Sequence, residues 1–203
     1  MKSWAGRKIV SRVLLSACGF AMIGCAESPP QNPTGWKVVP VESLTESQKE
    51  QQKRALAAKD AMFEALMARL QQAMSEHGAG GAVRVCQEEA PKIAEKISQE
   101  KGLAIGRTSF KLRNPNNRPP DWAATLVTAR TSQPTVLAHS DGRLATLLPI
   151  QVKAQCLMCH GKEDNIPDEV KTALKERYPN DAATGFAEGD LRGWFWVEVP
   201  AIQ

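Results

Sequence analysis

The apolar positions change period along the chain, and each change marks an element. Ser43-Leu44-Thr45-Glu46 resembles a capping box, and beyond it apolar residues recur every three or four positions, among them Met62, Phe63, Leu66, Met67, Leu70 and Met74. That period predicts a long amphipathic helix to about His77, stopped by Gly78. A second stripe in Val83, Cys86, Ala90, Ile93 and Ile97 predicts another helix with Cys86 on its buried side, which Pro91 either kinks or restarts. Ile105 to Leu112 alternates and contains β-branched residues, as a strand does. Arg113 to Pro120 is too rich in Pro and Asn for either period and predicts a loop, after which Asp121 can cap a helix carrying Trp122, Leu126 and Ala129. Thr135 to Ala138 and Arg143 to Val152 predict a hairpin about Asp141-Gly142. Pro167 to Tyr178 reads as a short helix, and Asp190 to Val199 as an aromatic-rich strand closed by Pro200. Helices and strands interleave without a βαβ rhythm, so the expected class is α+β: an antiparallel sheet flanked by helices, with a long N-terminal helix. A four-helix bundle is the alternative, and the strand-like segments and Pro-rich loop argue against it.

The N-terminus carries a different pattern. Lys2, Arg7, Lys8 and Arg12 precede a charge-free apolar run from Val13 to Gly24. Spanning a bilayer takes about 20 apolar residues, so this is an export signal rather than a membrane helix. Its end, Met22-Ile23-Gly24-Cys25, resembles a bacterial lipobox, which assigns residues 1–24 to a lipoprotein signal peptide and Cys25 to lipidation. An ordinary signal peptide cut a few residues later is the alternative. Two or three acyl chains on Cys25 would anchor the protein stably. Ala26, where an inner-membrane retention signal would resemble Asp, points to the periplasmic side of the outer membrane. Pro29, Pro30, Pro33 and Gly35 suggest a tether over 25–41, leaving 42–203 as a single domain. The formal net charge of +4 resides in the signal, so the remainder is close to neutral and no nucleic-acid partner is inferred.

Chemistry enters with Cys156-Leu157-Met158-Cys159-His160, the C-x-x-C-H pattern to which a c-type haem is covalently attached. Two thiols add across the haem vinyl groups, and the adjoining histidine becomes an iron ligand. A thioredoxin-like pair would open a helix after a strand in a βαβ context, which is not evident. A structural zinc site would need a second Cys or His pair that the sequence lacks. With Cys18 leaving in the signal, Cys25 lipidated and two cysteines on haem, only Cys86 is left over. Without haem it reads as an inert core thiol. Beside haem it becomes a candidate sixth ligand. Its rivals are weaker: no Met follows Met158, which itself lies in the attachment turn, and Met62, Met67 and Met74 share a core-like stripe. His77 and His139 sit at a helix end and a turn, where capping or exposure is the ordinary role. Arg107 and Arg113 would project from the polar side of the strand at 105–112, either into solvent or onto haem propionates.

Several motifs together carry a family resemblance. Val85-Cys86 with Ala90-Pro91, the run Gly106 to Asn117, Cys156 to His160, Tyr178 to Gly185 and Gly189 to Gly193 resemble, in that order, the Tll-type c-haem domain family, from about Leu56 to the C-terminus. That family is a domain-of-unknown-function group with a PAS-like fold, also found as the extracytoplasmic part of bacterial sensor proteins. The resemblance implies a PAS-like sheet, one covalent haem c, and axial ligation by His160 and Cys86. No kinase, cyclase or methyl-accepting segment follows Gln203, so signalling output is not expected on this chain. The expected function is redox or small-gas sensing with CO or NO as ligand. Simple periplasmic electron transfer to an unknown redox partner is second. A haem peroxidase, which needs an acid-base residue at an open distal site, comes last in a chain with three histidines.

Overall fold

The computed structural model describes Met1 and residues 35–202. The signal peptide at 1–24, the lipidation site Cys25 and the first part of the tether lie outside the described residues. One five-stranded antiparallel sheet organises the rest. Its strands are β1 (Trp36–Val39), β2 (Ala104–Thr108), β3 (Thr135–His139), β4 (Leu144–Gln151) and β5 (Leu191–Val199), in the spatial order β1-β3-β4-β5-β2. Five helices accompany them: α1 (Glu46–Arg84), α2 (Ala90–Lys101), α3 (Asp121–Thr128), α4 (Leu157–His160) and α5 (Asp168–Arg177). The expected α+β class is observed. No helix among the described residues is long and apolar enough to cross a membrane.

Alternation along the central strands separates two cores. Leu148, Phe195, Val197 and Val199 face α1 and α2, meeting Ala55, Ala58, Met62 and Ile97. Ala145, Leu147 and Trp194 face the other way, onto Trp122, Ala123 and Val127 of α3. The hairpin β3–β4 turns at Asp141-Gly142 as expected, with Gly142 at φ 90°.

Four local expectations are corrected. The segment 36–39, assigned to the tether, is edge strand β1, which pairs with β3 and buries Trp36 against α3. The neighbouring prolines hid its short alternation. The helix cap is Thr45 with Gln48 rather than Ser43 with Glu46, since Thr45 accepts from the Gln48 N–H and Gln48 from the Thr45 N–H, while the Ser43 hydroxyl donates to Pro40 O. Gly78, at φ 68° and ψ −178°, breaks α1 without ending it, and the Glu169 carboxylate accepts from Ala79 N–H at 3.2 Å where the helix resumes. The strand expected over 105–112 stops at Thr108, because Ser109 turns its hydroxyl onto Arg192 O at 2.7 Å and accepts from Lys111 N–H at 3.0 Å.

After α1 the ladder widens into a single π-turn, Val85–Glu89, closed by Ala90 N–H on Val85 O. Pro91 supplies the reason: lacking an N–H, it cannot continue the α ladder but suits the first turn of α2. Cys86 therefore sits in a π-turn rather than on a regular helix, a feature frequent at functional sites.

Where β4 leaves the sheet and β5 enters it, the register shifts at Ile150/Gln151. Gly193 lies opposite that irregularity, and a Cβ on it would come within 2.3 Å of Thr108 O. Gly193→Ala is expected to lower unfolding free energy by about 1–3 kcal/mol in urea denaturation. An unchanged midpoint would mean that the close backbone approach is not needed.

Candidate functional site

At this end of the sheet the chain encloses an open-sided cavity of about 220 Å³, lined by side chains from distant parts of the sequence. Its apolar floor comes from one face of α1, where Phe63, Leu66, Met67 and Leu70 follow the i, i+3, i+4, i+7 spacing. The π-turn contributes Cys86 and the end of β2 contributes Arg107 and Thr108. The loop beyond β2 brings Arg113 and Asn114, and the segment after β4 brings Cys156, Cys159 and His160. All six residues singled out by sequence for cofactor binding thus border one cavity. His77 and His139 do not, and Met62 is packed in the core.

Cys156 ends a 3-10 turn and α4 continues it for four residues, so Cys156 and Cys159 are one helical turn apart. Gly161 then reverses the chain; a Cβ there would lie 2.6 Å from Leu157 O. Two backbone bonds, Gly185 N–H to Gly161 O at 2.8 Å and Phe186 N–H to His160 O at 3.0 Å, pin the turn to the segment preceding β5.

His160 Nδ1 lies 2.7 Å from Ala183 O. A carbonyl only accepts, so Nδ1 carries the hydrogen. Burial, helped by the charges of Arg113, Arg192 and Arg107, holds the imidazole pKa well below its usual value. A neutral ring protonated at Nδ1 leaves Nε2 with its lone pair, the arrangement a metal-ligating histidine needs.

Arg113 differs from expectation. It is not on a strand, it is buried, and its guanidinium is engaged: Nε donates to Asp181 Oδ2 at 3.0 Å, while Nη2 donates to Cys159 O at 2.5 Å and Ala183 O at 3.3 Å. One side chain therefore holds both the C-x-x-C-H turn and the carbonyl that fixes His160. Arg107 does lie on β2 at the cavity edge, half-buried and without an ion pair among the described residues.

Sequence reasoning missed several wall residues. Arg192 donates from Nη1 to Ser109 Oγ at 2.8 Å and Lys111 O at 3.1 Å, while its buried Nε has no partner. Burial first, then Arg113 and Arg107, push its pKa down to about 10. The Thr108 and Tyr178 hydroxyls are likewise buried and unpartnered. Arg192 and Tyr178 stand inside motifs of the family resemblance, but a motif gives no role by itself. Met67, assigned to a core stripe, is half-buried at the cavity. Burial pushes the Cys159 thiol up to about 11 although Arg113 acts in the opposite direction. Among the described residues no group of three or more His, Cys, Asp or Glu side chains gathers as a zinc site would require.

These elements are shared with known proteins. The Tll0287-like family model matches residues 42–200, and the chain belongs to that family. Its structure is similar to the crystal structure of the cyanobacterial heme-protein Tll0287, with a TM-score of 0.58 and 26% identity, over 76% of this chain and 97% of that one. The fold is accordingly the PAS-like one that the resemblance implied. No curated protein matches the chain.

The Arg113–Asp181 pair is almost fully enclosed, at 7% and 10% side-chain exposure. Removing one partner strands a buried charge, so Asp181→Ala is expected to cost about 3–5 kcal/mol of stability in chemical denaturation. A loss below about 1 kcal/mol would show that Arg113 is not held by its carboxylate.

Proposed function

We propose that the protein is an extracytoplasmic mono-haem protein of c type, ligated by His160 and Cys86, anchored through lipid on Cys25 at the outer membrane, and acting in redox or CO/NO sensing. The observation that carries this reading is the convergence of Cys86 with Cys156, Cys159 and His160 on one cavity from separate segments of the chain. The residues suit haem in other respects. Phe63, Leu66, Met67 and Leu70 offer an apolar surface for a macrocycle. Arg107 and Arg192 supply positive charge for two propionates, and the orphaned Arg192 Nε is a donor lacking a partner. The structurally similar Tll0287 is a heme-protein, which supports the same cofactor here.

The haem iron, when bound, supplies one-electron chemistry and a position for a diatomic ligand. The chain's own residues determine how that chemistry is used. Cys156 and Cys159 hold the group through thioethers, and His160 presents Nε2 because Ala183 fixes its other nitrogen. Arg113 keeps both in register. Cys86, as an anionic sulfur, favours the more highly charged oxidation state and lowers the potential relative to a neutral thioether. If it held the iron, it would also be the residue able to give way to CO or NO.

Met67 is the second reading for the sixth ligand, since it alone of the helix methionines reaches this cavity. Absorption spectra and redox titration of two variants separate them. Haem is expected to remain with the polypeptide through acid-organic extraction unless Cys156 and Cys159 are both replaced. Cys86→Ala is expected to change the ferric spectrum, raise the potential and speed CO binding, whereas Met67→Leu leaves them unchanged. The reverse pattern transfers the role to Met67.

Anchoring has its own test. Cys25→Ser is expected to release the protein from membranes or block its processing. A wild-type mature N-terminus downstream of Cys25 overturns the lipoprotein reading.

A further inference from the structure

Tyr178 poses a problem for folding alone. It is 5% exposed and packs against Val83 and Leu174, yet its hydroxyl is buried with no hydrogen-bond partner. An unsatisfied buried hydroxyl costs about 1–3 kcal/mol, and a phenylalanine would avoid that cost. Nothing in α5 requires a tyrosine, since the backbone of Tyr178 closes the helix by donating its N–H to Leu174 O at 2.8 Å. The hydroxyl is thus unexplained by the protein fold.

Its surroundings suggest what it serves. Tyr178 and Cys86 border the same cavity, and burial, then the nearness of Cys86, raises the pKa of the phenol. The two residues are also mechanically joined, because Arg177 donates to Gln87 Oε1 at 2.9 Å and to Glu88 Oε1 at 2.8 Å, while Gln87 Nε2 donates to Arg177 O at 2.9 Å. The residue before Tyr178 is therefore bonded to the two residues after Cys86. This reciprocal pair fixes the end of α5 against the π-turn.

We infer that the Tyr178 hydroxyl is the hydrogen-bond donor to the Cys86 sulfur when that sulfur serves as an iron thiolate. The inference rests on the His160/Cys86 reading above. A thiolate accepts hydrogen bonds and a phenol donates them, so each satisfies the other. The sulfur carries more negative charge when the iron is reduced, so the bond strengthens on reduction and favours the ferrous state. Tyr178 is then a positioning residue that sets how strongly Cys86 lowers the potential.

The test uses the full haem-loaded chain. Tyr178→Phe removes only the hydroxyl and is expected to shift the redox equilibrium towards the ferric form about tenfold, or about 59 mV lower for one electron. Tyr178 is the sole tyrosine in the sequence, so incorporating 3-fluorotyrosine changes one site. That more acidic phenol is expected to move the potential upward. Both shifts should vanish in a Cys86→Ala background. No shift from either change overturns the inference, and so does an equal shift with and without Cys86, because the hydroxyl would then act elsewhere. If Cys86→Ala alters the spectrum while Tyr178→Phe does nothing, only this inference falls. If Cys86→Ala alters nothing, the ligand reading falls and takes this inference with it.

Discussion

The guanidinium of Arg113 is the constraint on which the site rests. Burying that charge is tolerable only with Asp181 beside it and carbonyls on Nη2, and those carbonyls belong to Cys159 and Ala183. Ala183 O is also the acceptor for His160, so the charge that demands solvation by the protein orients the ring. Further bonds close the same knot: Asp181 Oδ1 accepts from Ala183 N–H at 2.8 Å, and Ala182 N–H donates to Leu112 O at 3.2 Å. The irregular segment before β5 thereby satisfies its backbone groups on the loop after β2 and on the C-x-x-C-H turn. It does so without regular secondary structure, so its geometry depends on these few polar contacts.

The turn that carries Cys86 is held differently. Cys86 is presented by a π-turn whose existence follows from Pro91, and whose position follows from α5 at two points. Glu169 caps the helix that resumes after Gly78, and Arg177 bonds Gln87 and Glu88. The α1 face of Phe63, Leu66, Met67 and Leu70 adds apolar surface to the cavity but no fixed polar direction. Polar contacts thus fix the turns that carry His160 and Cys86, while the helix supplies only adaptable apolar side chains.

Much of this was legible in the sequence, and the exceptions have physical causes. Long-period signals were reliable: α1, the β3–β4 hairpin and β5 follow from repeats of seven residues or more, or from a strong turn pair. Edge strand β1 was not, because four residues between prolines carry too little alternation, and its burial comes from Trp36 meeting α3 far along the chain. Arg113 was misplaced because the alternation of β2 was extended through Ser109, whose hydroxyl ends the strand. The cavity residues Cys86, Cys156, Cys159 and His160 were identifiable by type, since few side chains do their chemistry. Arg192 and Tyr178 were not, because their importance lies in an unpartnered atom, a property of three-dimensional packing that no spacing encodes.

Burial and the arginines compete in setting the charge of the groups around the cavity. Arg107, Arg113 and Arg192 gather near Asp181, and burial, aided by the charges of Arg113 and Arg107, brings Arg192 down to about 10. Such a field favours anions, and thiolates are anions. Yet Cys159, which feels Arg113 directly, still has its thiol pushed up to about 11, so burial outweighs the arginine. For Cys159, then, the protein field alone is insufficient to ionise the thiol against desolvation. The turn that carries Cys86 is tied through Gln87 and Glu88 to Arg177, so a displacement of that turn is passed directly to the end of α5.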